Sequence, residues 1–306
     1  MAVVLSILVI AGLVAALRRD GPAALEAWRT ADVRWSWVAL ATALGLGGHA
    51  VAAFGWRRLL VDLGLRVQYG WVLRVFLVSN MGRYLPGGKA WQMGIVGVMS
   101  TERGLPAIVV AGSSLLHGIV GVAVGAILLL PLGGTLFGGA QALFALAAAG
   151  LASLIALPRI LRLFPGVRAA LAARITGIDT VSSATMWALV WTAAAGWLSW
   201  GVALYALAWA LLPAPTPAIP LFIAAWIGPF LAGLLAVVSP AGVGVREGAM
   251  QAALAAVGLA PSAALLLTLA SRIWVTMIEV VPAAVLLAAR RGAGRDERPS
   301  PTASGR

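Results

Sequence analysis

Residues 107–130 read AIVVAGSSLLHGIVGVAVGAILLL, a predominantly apolar stretch without Asp, Glu, Lys or Arg. At about 1.5 Å of rise per residue, a helix of this length extends for roughly 36 Å. The hydrocarbon core of a bilayer is about 30 Å thick. The stretch therefore predicts a helix that crosses a membrane.

The composition of the whole chain agrees with that prediction. Of its 306 residues, 61% are hydrophobic and only 10% are charged, whereas soluble domains carry about 25% charged residues. A water-soluble enzyme is thereby excluded. Runs that fit full spans lie at 2–17, 36–54, 107–130, 139–157, 184–212 and 262–289. We predict an all-α polytopic membrane protein with about six full transmembrane helices and two irregular hairpins.

Two further regions are apolar but interrupted. Between Tyr69 and Ser100 the run is cut around Pro86-Gly87-Gly88, and between Leu221 and Val257 it is cut at Ser239-Pro240-Ala241-Gly242. The short pieces that remain are typical of broken or re-entrant helices. Such backbone is tolerated at membrane depth only where protein or water satisfies its polar groups.

The two interrupted regions share landmarks in the same order. Pro86 is followed 20 residues later by Pro106, Pro240 is followed 21 residues later by Pro261, and a Gly-Leu pair precedes each second proline. A long span comes next in both. We predict weak repeats near 69–130 and 221–289, inverted across the membrane as in many transporters. Chance similarity in a chain rich in Ala, Leu and Gly is the alternative.

The charges indicate an orientation. The chain has 22 basic and 10 acidic residues, a formal charge of +12, and several arginines lie in the connection 158–183 and after residue 290. Basic loops stay on the cytoplasmic side. We expect a multi-pass plasma-membrane protein with one transmembrane domain over 1–290 and a disordered basic cytoplasmic tail over 291–306. The side of the amino terminus stays open, because arginines flank the span 36–54 at both ends.

Three motifs resemble a known family. They are Trp56-Arg57-Arg58-Leu59-Leu60, Arg83-Tyr84-Leu85-Pro86-Gly87-Gly88-Lys89-Ala90-Trp91-Gln92 and Pro240-Ala241-Gly242-Val243-Gly244-Val245-Arg246-Glu247-Gly248. They are similar to the transmembrane domain of lysylphosphatidylglycerol synthases and of the stand-alone flippase-like proteins related to it. This sequence departs from the family pattern in two ways. An arginine that commonly follows the second motif is replaced by the apolar stretch Ile95 to Met99. The soluble aminoacyl-transferase domain is lacking in this sequence. The resemblance implies lipid translocation without lipid aminoacylation, and it does not name the lipid.

The early motif has the chemistry of an anion site. Pro86 removes a backbone donor and Gly87-Gly88 permit a chain reversal. A new helix can then begin near Ala90, with unpaired N–H groups and its positive dipole end at the break. Arg83 and Lys89 add positive charge beside it. A lipid phosphate suits such a place, and a surface hairpin whose Arg and Lys reach cytoplasmic headgroups is the alternative.

The late motif carries Arg246 and Glu247 directly after the second break. A charged group inside a membrane costs about 2.5–3.5 kcal/mol on insertion scales, so each needs a partner. Arg272 and Glu279, seven residues apart on one helical face, are the candidates. A structural Arg–Glu clamp between helices is as consistent with these residues as a substrate-facing role. The substrate-binding residues predicted from both motifs are Arg83, Tyr84, Pro86, Gly87, Gly88, Lys89, Trp91, Gln92, Pro240, Gly242, Gly244, Arg246, Glu247, Arg272 and Glu279.

Other kinds of site have little support in the sequence. The chain has no cysteine and only two histidines, His49 and His117, so we expect no metal or thiolate site. A lone histidine in a span is more often a hydrogen-bonded core residue than a proton relay. We expect no cofactor and no catalytic residues, because the Glu and His residues are scattered and no nucleotide-binding loop is present.

The predicted function is a flippase or scramblase for a phosphate-bearing lipid. Its expected partners are anionic or polyprenyl-linked membrane lipids and not nucleic acid, and a homo-oligomer or an envelope-synthesis partner is compatible with the sequence. Two alternatives come from other classes of function. One is an intramembrane enzyme acting on lipid-linked substrates, and the other is a structural partner of an envelope-synthesis complex.

Overall fold

The computed structural model describes residues 32–85, 88–133, 181–213, 218–235 and 244–296, with a few positions between 18 and 29. Every regular element within these residues is a helix. The elements are α1 (Trp35–Asp62), α2 (Tyr69–Asn80), a 3-10 helix (Met81–Tyr84), α3 (Gly88–Thr101), α4 (Ala107–Gly133), α5 (Ser183–Leu211), α6 (Ile219–Leu235), α7 (Val245–Ala256) and α8 (Pro261–Asp296). The predicted all-α class is confirmed.

Four of these helices are long and apolar enough to cross a membrane: Trp35–Asp62, Ala107–Pro131, Ser183–Leu211 and Pro261–Ala288. They coincide with four of the predicted spans, and the other two, 2–17 and 139–157, lie outside the described residues. Helix α1 continues to Asp62, beyond the predicted end at residue 54. It does so because Leu59 and Leu60, which follow the arginine pair, are fully buried.

The first interrupted region forms two short helices joined by the 3-10 helix. Helices α2 and α3 have 12 and 14 residues, so each is only about 18–21 Å long and cannot span a bilayer alone. The connection is tight: a Cβ atom placed on Gly82 would lie 2.6 Å from the backbone nitrogen of Gln92. This close approach holds Arg83 and Tyr84 beside the first turns of α3.

The second interrupted region is built in a similar way. Helix α6 has 17 residues and α7 has 12, and the break at 236–243 lies outside the described residues. Gly244 precedes α7 with a φ of 87°, in the left-handed region that favours glycine. The predicted breaks therefore fall between short helices in both regions.

The Gly-Leu landmarks of the predicted repeat adopt the same backbone conformation. Gly104 and Gly258 have φ values of 67° and 96°. The next residue in each case, Leu105 or Leu259, donates its N–H to the carbonyl five residues earlier, which is the Schellman end of a helix. Gly64-Leu65 ends α1 identically, so the cap alone is no mark of a repeat. Two short helices, a cap and a long helix follow one another in both regions, and the repeat and its inversion stay predictions.

Helix α8 contacts both interrupted regions. It packs against α2 and the 3-10 helix on one side and against α7 on another, and it also meets α1 and α5. Helix α1 lies along α5 at close range. A Cβ atom on Gly48 would come within 2.8 Å of the Trp200 ring nitrogen. The inward face of α8 therefore lies where the short helices and α1 converge.

The outward faces of the long helices are apolar. Ile108 on α4, Trp191 on α5 and Ile273 on α8 are 89%, 69% and 61% exposed. Large side chains exposed on several helices would be a liability in water, whereas acyl chains solvate them in a bilayer.

Helix α8 extends past residue 290, where the sequence predicts a disordered tail to begin, and it ends at Asp296. Ala and Arg at 288–291 favour helix and the next proline is Pro299, although Gly292 and Gly294, which disfavour helix, also lie in this extension. Residues 297–306 lie outside the described part of the chain.

Candidate functional site

Glu279 is the centre of a buried polar cluster. It lies on the inward face of α8 with only 2% of its side chain exposed. Its Oε1 is 3.0 Å from Arg83 Nη1, and the Tyr84 hydroxyl donates to its Oε2 at 2.6 Å. The early motif and α8 are thus joined by a charge-assisted pair. Thr276, one turn earlier, also contacts the Tyr84 hydroxyl, so the predicted polar face of α8 points inward.

His49 belongs to the same cluster, although the sequence predicts only a core residue at this position. Its Nε2 lies 3.7 Å from Glu279 Oε1, and its ring packs edge-on against Trp200 and Phe76 at centroid distances of 5.0 and 5.8 Å. The site therefore includes α1. The signal in the sequence that could have placed His49 in the site is an ionisable residue within an apolar span. The glycines next to it let α5 approach.

The second carboxylate of the cluster is Glu247 in the first turn of α7. One of its oxygens pairs with Arg272 Nε, and the other accepts the N–H of Gly244. The carboxylate satisfies an otherwise unpaired donor at the helix start and lies at the positive end of the helix dipole. The expectation that Glu247 meets a partner on α8 is confirmed, and the pair links α7 to α8 as a clamp would.

Arg246 is buried without a carboxylate in contact among the described residues, so the expectation that it too pairs with a residue of α8 is wrong: Glu279 is held by Arg83 instead. Its side chain is 5% exposed, and its guanidinium lies over the rings of Trp226 and Phe230 at 4.8 and 5.2 Å. Cation–π contacts of this kind offset part of the cost of burial. Its Nε has no hydrogen-bond partner in the described part of the chain.

These charges form one electrostatic unit. Arg246 interacts electrostatically with Arg83, Arg272, Glu247 and Glu279, so the groups from the early and late motifs lie within range of each other. Three guanidinium groups face two carboxylates, which leaves an excess of one positive charge among these five residues. A buried, uncompensated cation favours binding of an anion.

A second polar contact lies at the start of α3. Gln92 Nε2 donates to Asn80 Oδ1 at 3.2 Å, and the buried Asn80 Nδ2 has no hydrogen-bond partner in the described residues. Gly82 packs against the backbone of Gln92, so this amide pair lies next to the turn that carries Arg83. The motifs in the sequence do not predict Asn80 as a site residue.

The structure therefore brings together Arg83, Tyr84, Arg246, Glu247, Arg272 and Glu279, with Gln92 adjacent and Gly244 capping α7. Trp91 is 52% exposed in the first turn of α3, and Gly88 is the first residue of that helix. The side chain of Lys89 and the residues Pro86, Gly87, Pro240 and Gly242 lie outside the described part. In the part that is described, no three His, Asp or Glu side chains are placed to hold a metal ion.

The family described as "Lysylphosphatidylglycerol synthase TM region" matches residues 3–283. The chain belongs to this family. The match includes both interrupted regions and every charged residue of the cluster, so the resemblance carried by the motifs is confirmed. A comparison with curated proteins finds no match.

Membership in this family implies a lipid-related function in a membrane. The long apolar helices agree with it, and a multi-pass membrane protein is shown. The charge cluster between the short helices and α8 is a buried polar region within the otherwise apolar helices that the structure describes.

Proposed function

We propose that the chain moves a phosphate-bearing lipid between the two leaflets of a membrane, as a flippase or scramblase. The observation that carries this proposal is the cluster of three arginines and two glutamates around α8, with its excess positive charge. Ionisable groups inside membrane proteins usually mark substrate or ion pathways.

The lipid phosphate would bind to Arg83, Arg246 and Arg272 in a charged cavity, near the starts of α3 and α7. Helix starts favour anions through their free N–H groups and dipole, and Lys89 belongs to the first turn of α3. Glu279 and Glu247 neutralise Arg83 and Arg272 when no lipid is present. The acyl chains would stay in the bilayer, along the apolar outer faces.

The short helices α2, α3, α6 and α7 would form re-entrant hairpins, the carboxy terminus would be cytoplasmic, and the membrane would be the plasma membrane. The partners are anionic or polyprenyl-linked lipids. The chain would leave the covalent structure of the lipid unchanged, so it is not an enzyme in this proposal.

A translocation assay tests the proposal directly. The purified chain is reconstituted into liposomes that contain phosphatidylglycerol with a fluorescent acyl chain, and a membrane-impermeant quencher reports the outer-leaflet fraction with time. We expect faster redistribution than in protein-free liposomes. Arg83→Gln should slow it about tenfold or more, because losing one hydrogen bond to a charged group costs about 1.5–3 kcal/mol.

The controls separate a local effect from a general one. Arg66→Gln changes an exposed arginine in the connection after α1 and should leave the rate unchanged. The double variant with Arg83→Gln and Glu279→Gln removes both charges of the pair. It leaves neither charge without its partner, so it controls for misfolding of the single variant. Equal rates for the wild type, Arg83→Gln and empty liposomes would contradict the proposal, and a new lipid species in an extract of the liposomes would favour the enzyme alternative.

A further inference from the structure

Arg83 is already paired with an anion that belongs to the protein. Glu279 is almost fully buried and holds the guanidinium at 3.0 Å. Under the function proposed above, on which this inference rests, a lipid phosphate must bind to the same guanidinium. Two anions would then lie next to one cation in a medium of low dielectric, and their repulsion is much stronger there than in water.

A proton on Glu279 removes that repulsion. Two acidic groups that share one site favour a state in which one of them is protonated, as in any closely spaced pair of carboxyl groups. The phosphodiester is the stronger acid and stays ionised, so the proton resides on the carboxyl group. A protonated Glu279 keeps its hydrogen bond to Tyr84 and turns from a competitor for Arg83 into a neutral neighbour.

The surroundings of Glu279 contain no other carboxylate in contact with it among the described residues. His49 on α1 and Arg83 and Tyr84 on the 3-10 helix contact it directly. From α7, Arg246 faces it within electrostatic range, and Glu247 is held by Arg272. Helix α5 has no Asp, Glu, Lys, Arg or His, and Arg74 is the charged residue of α2. Of the described groups that contact Glu279, His49 is the other one that can take up a proton near neutral pH, so the proton at this point of the cluster goes to Glu279 or to His49.

We infer that Glu279 is the proton-binding residue of a proton-coupled lipid transporter, and that one proton binds Glu279 with each lipid phosphate and leaves with it. The charges balance: a lipid with one negative charge and one proton carry no net charge together. Protonation and lipid binding strengthen each other by the same factor, as linkage requires. Transport should respond to a pH gradient and not to the membrane potential.

The first test is binding of short-chain phosphatidylglycerol to the purified chain in detergent, with the matched diacylglycerol as the uncharged probe. Affinity for phosphatidylglycerol should rise as the pH falls from about 8 to about 5, by up to about tenfold per pH unit for one linked proton. In weakly buffered solution the wild-type chain should take up close to one proton per lipid bound in the range where affinity changes. The proton measurement needs no variant, so it stands even if a variant fails to fold.

Glu279→Gln should abolish the pH dependence and bind phosphatidylglycerol at all pH values as tightly as the wild type does at low pH. Glu102→Gln, at an exposed turn after α3, is the matched control and should behave like the wild type. Retained pH dependence in Glu279→Gln, together with its loss in His49→Gln, would overturn the assignment to Glu279.

The second test uses proteoliposomes with an imposed pH gradient or a potassium diffusion potential. We expect the pH gradient to drive net accumulation of labelled phosphatidylglycerol in one leaflet, and the potential alone to leave its distribution unchanged. Redistribution that ignores the pH gradient, with no proton uptake on binding, overturns the inference and leaves the proposed function standing. If the chain neither binds phosphatidylglycerol nor redistributes it at any pH, both the inference and the proposed function are overturned.

Discussion

At the scale of single residues, burial of charge is the dominant feature. Glu279, Glu247 and Arg246 are each at most 7% exposed, and removing such groups from water costs several kcal/mol each. Glu279 and Glu247 recover part of that cost through Arg83 and Arg272. Among the described residues, Arg246 contacts the faces of two aromatic rings and no carboxylate directly, so we propose that binding rather than folding explains why it is kept.

Replacement of Arg246 tests that explanation. Arg246→Met keeps an unbranched side chain beside Trp226 and removes a buried charge, so the burial penalty of several kcal/mol for that ion no longer opposes folding. We expect an unchanged or higher midpoint of thermal unfolding in detergent and at least a tenfold slower translocation of labelled phosphatidylglycerol. A large loss of stability with normal translocation would show that Arg246 serves the fold.

At the scale of elements, the early break depends on one close contact. Gly82 has no room for a Cβ atom because the neighbouring atoms are the backbone of Trp91 and Gln92, and backbone cannot rotate away as a side chain can. The turn that presents Arg83 and Tyr84 to α8 therefore requires glycine at this position.

Gly82→Ala should displace the 3-10 helix from α3. We expect a loss of about 1–3 kcal/mol in the free energy of unfolding, as in other overpacked sites, and slower translocation. Gly94→Ala is the matched control on α3, because nothing lies within 4 Å of its Cβ position, and it should be neutral or stabilising by up to about 1 kcal/mol. Equal stability of the two variants in chemical unfolding would contradict this account of the turn.

At the scale of the whole molecule, the two interrupted regions share an order of elements and flank the same helix. If the repeat is inverted, the two breaks open toward opposite sides of the membrane, and alternating access could proceed around the charge cluster between them. The absence of cysteine from the natural chain makes this orientation straightforward to measure.

Single cysteines at Gly87 and Ala241 should be labelled from opposite sides of the membrane by an impermeant maleimide in intact cells and inverted vesicles. The measurement is the ratio of labelling between the two preparations, and a cysteine at Ser300 reports the side of the carboxy terminus, which we propose to be cytoplasmic. Labelling of both breaks from the same side would rule out the inverted repeat.

The sequence alone determines the membrane class, the four long helices and the places where the short helices break. These features are local, because the length of an apolar run decides whether a helix can span, and Pro and Gly decide where it ends. The sequence also singles out Arg83, Arg246, Glu247, Arg272 and Glu279, since charge in an apolar segment is conspicuous.

Only the tertiary structure decides which of these residues meet. Tyr84 and Glu279 are 195 positions apart, and no pattern along the chain links them, because their contact depends on how α8 packs against the 3-10 helix. The same packing brings His49 to Glu279, although the sequence indicates only a core histidine there. The bases and acids of the chain are fixed by composition, whereas the buried cluster with one positive charge in excess arises from helix packing.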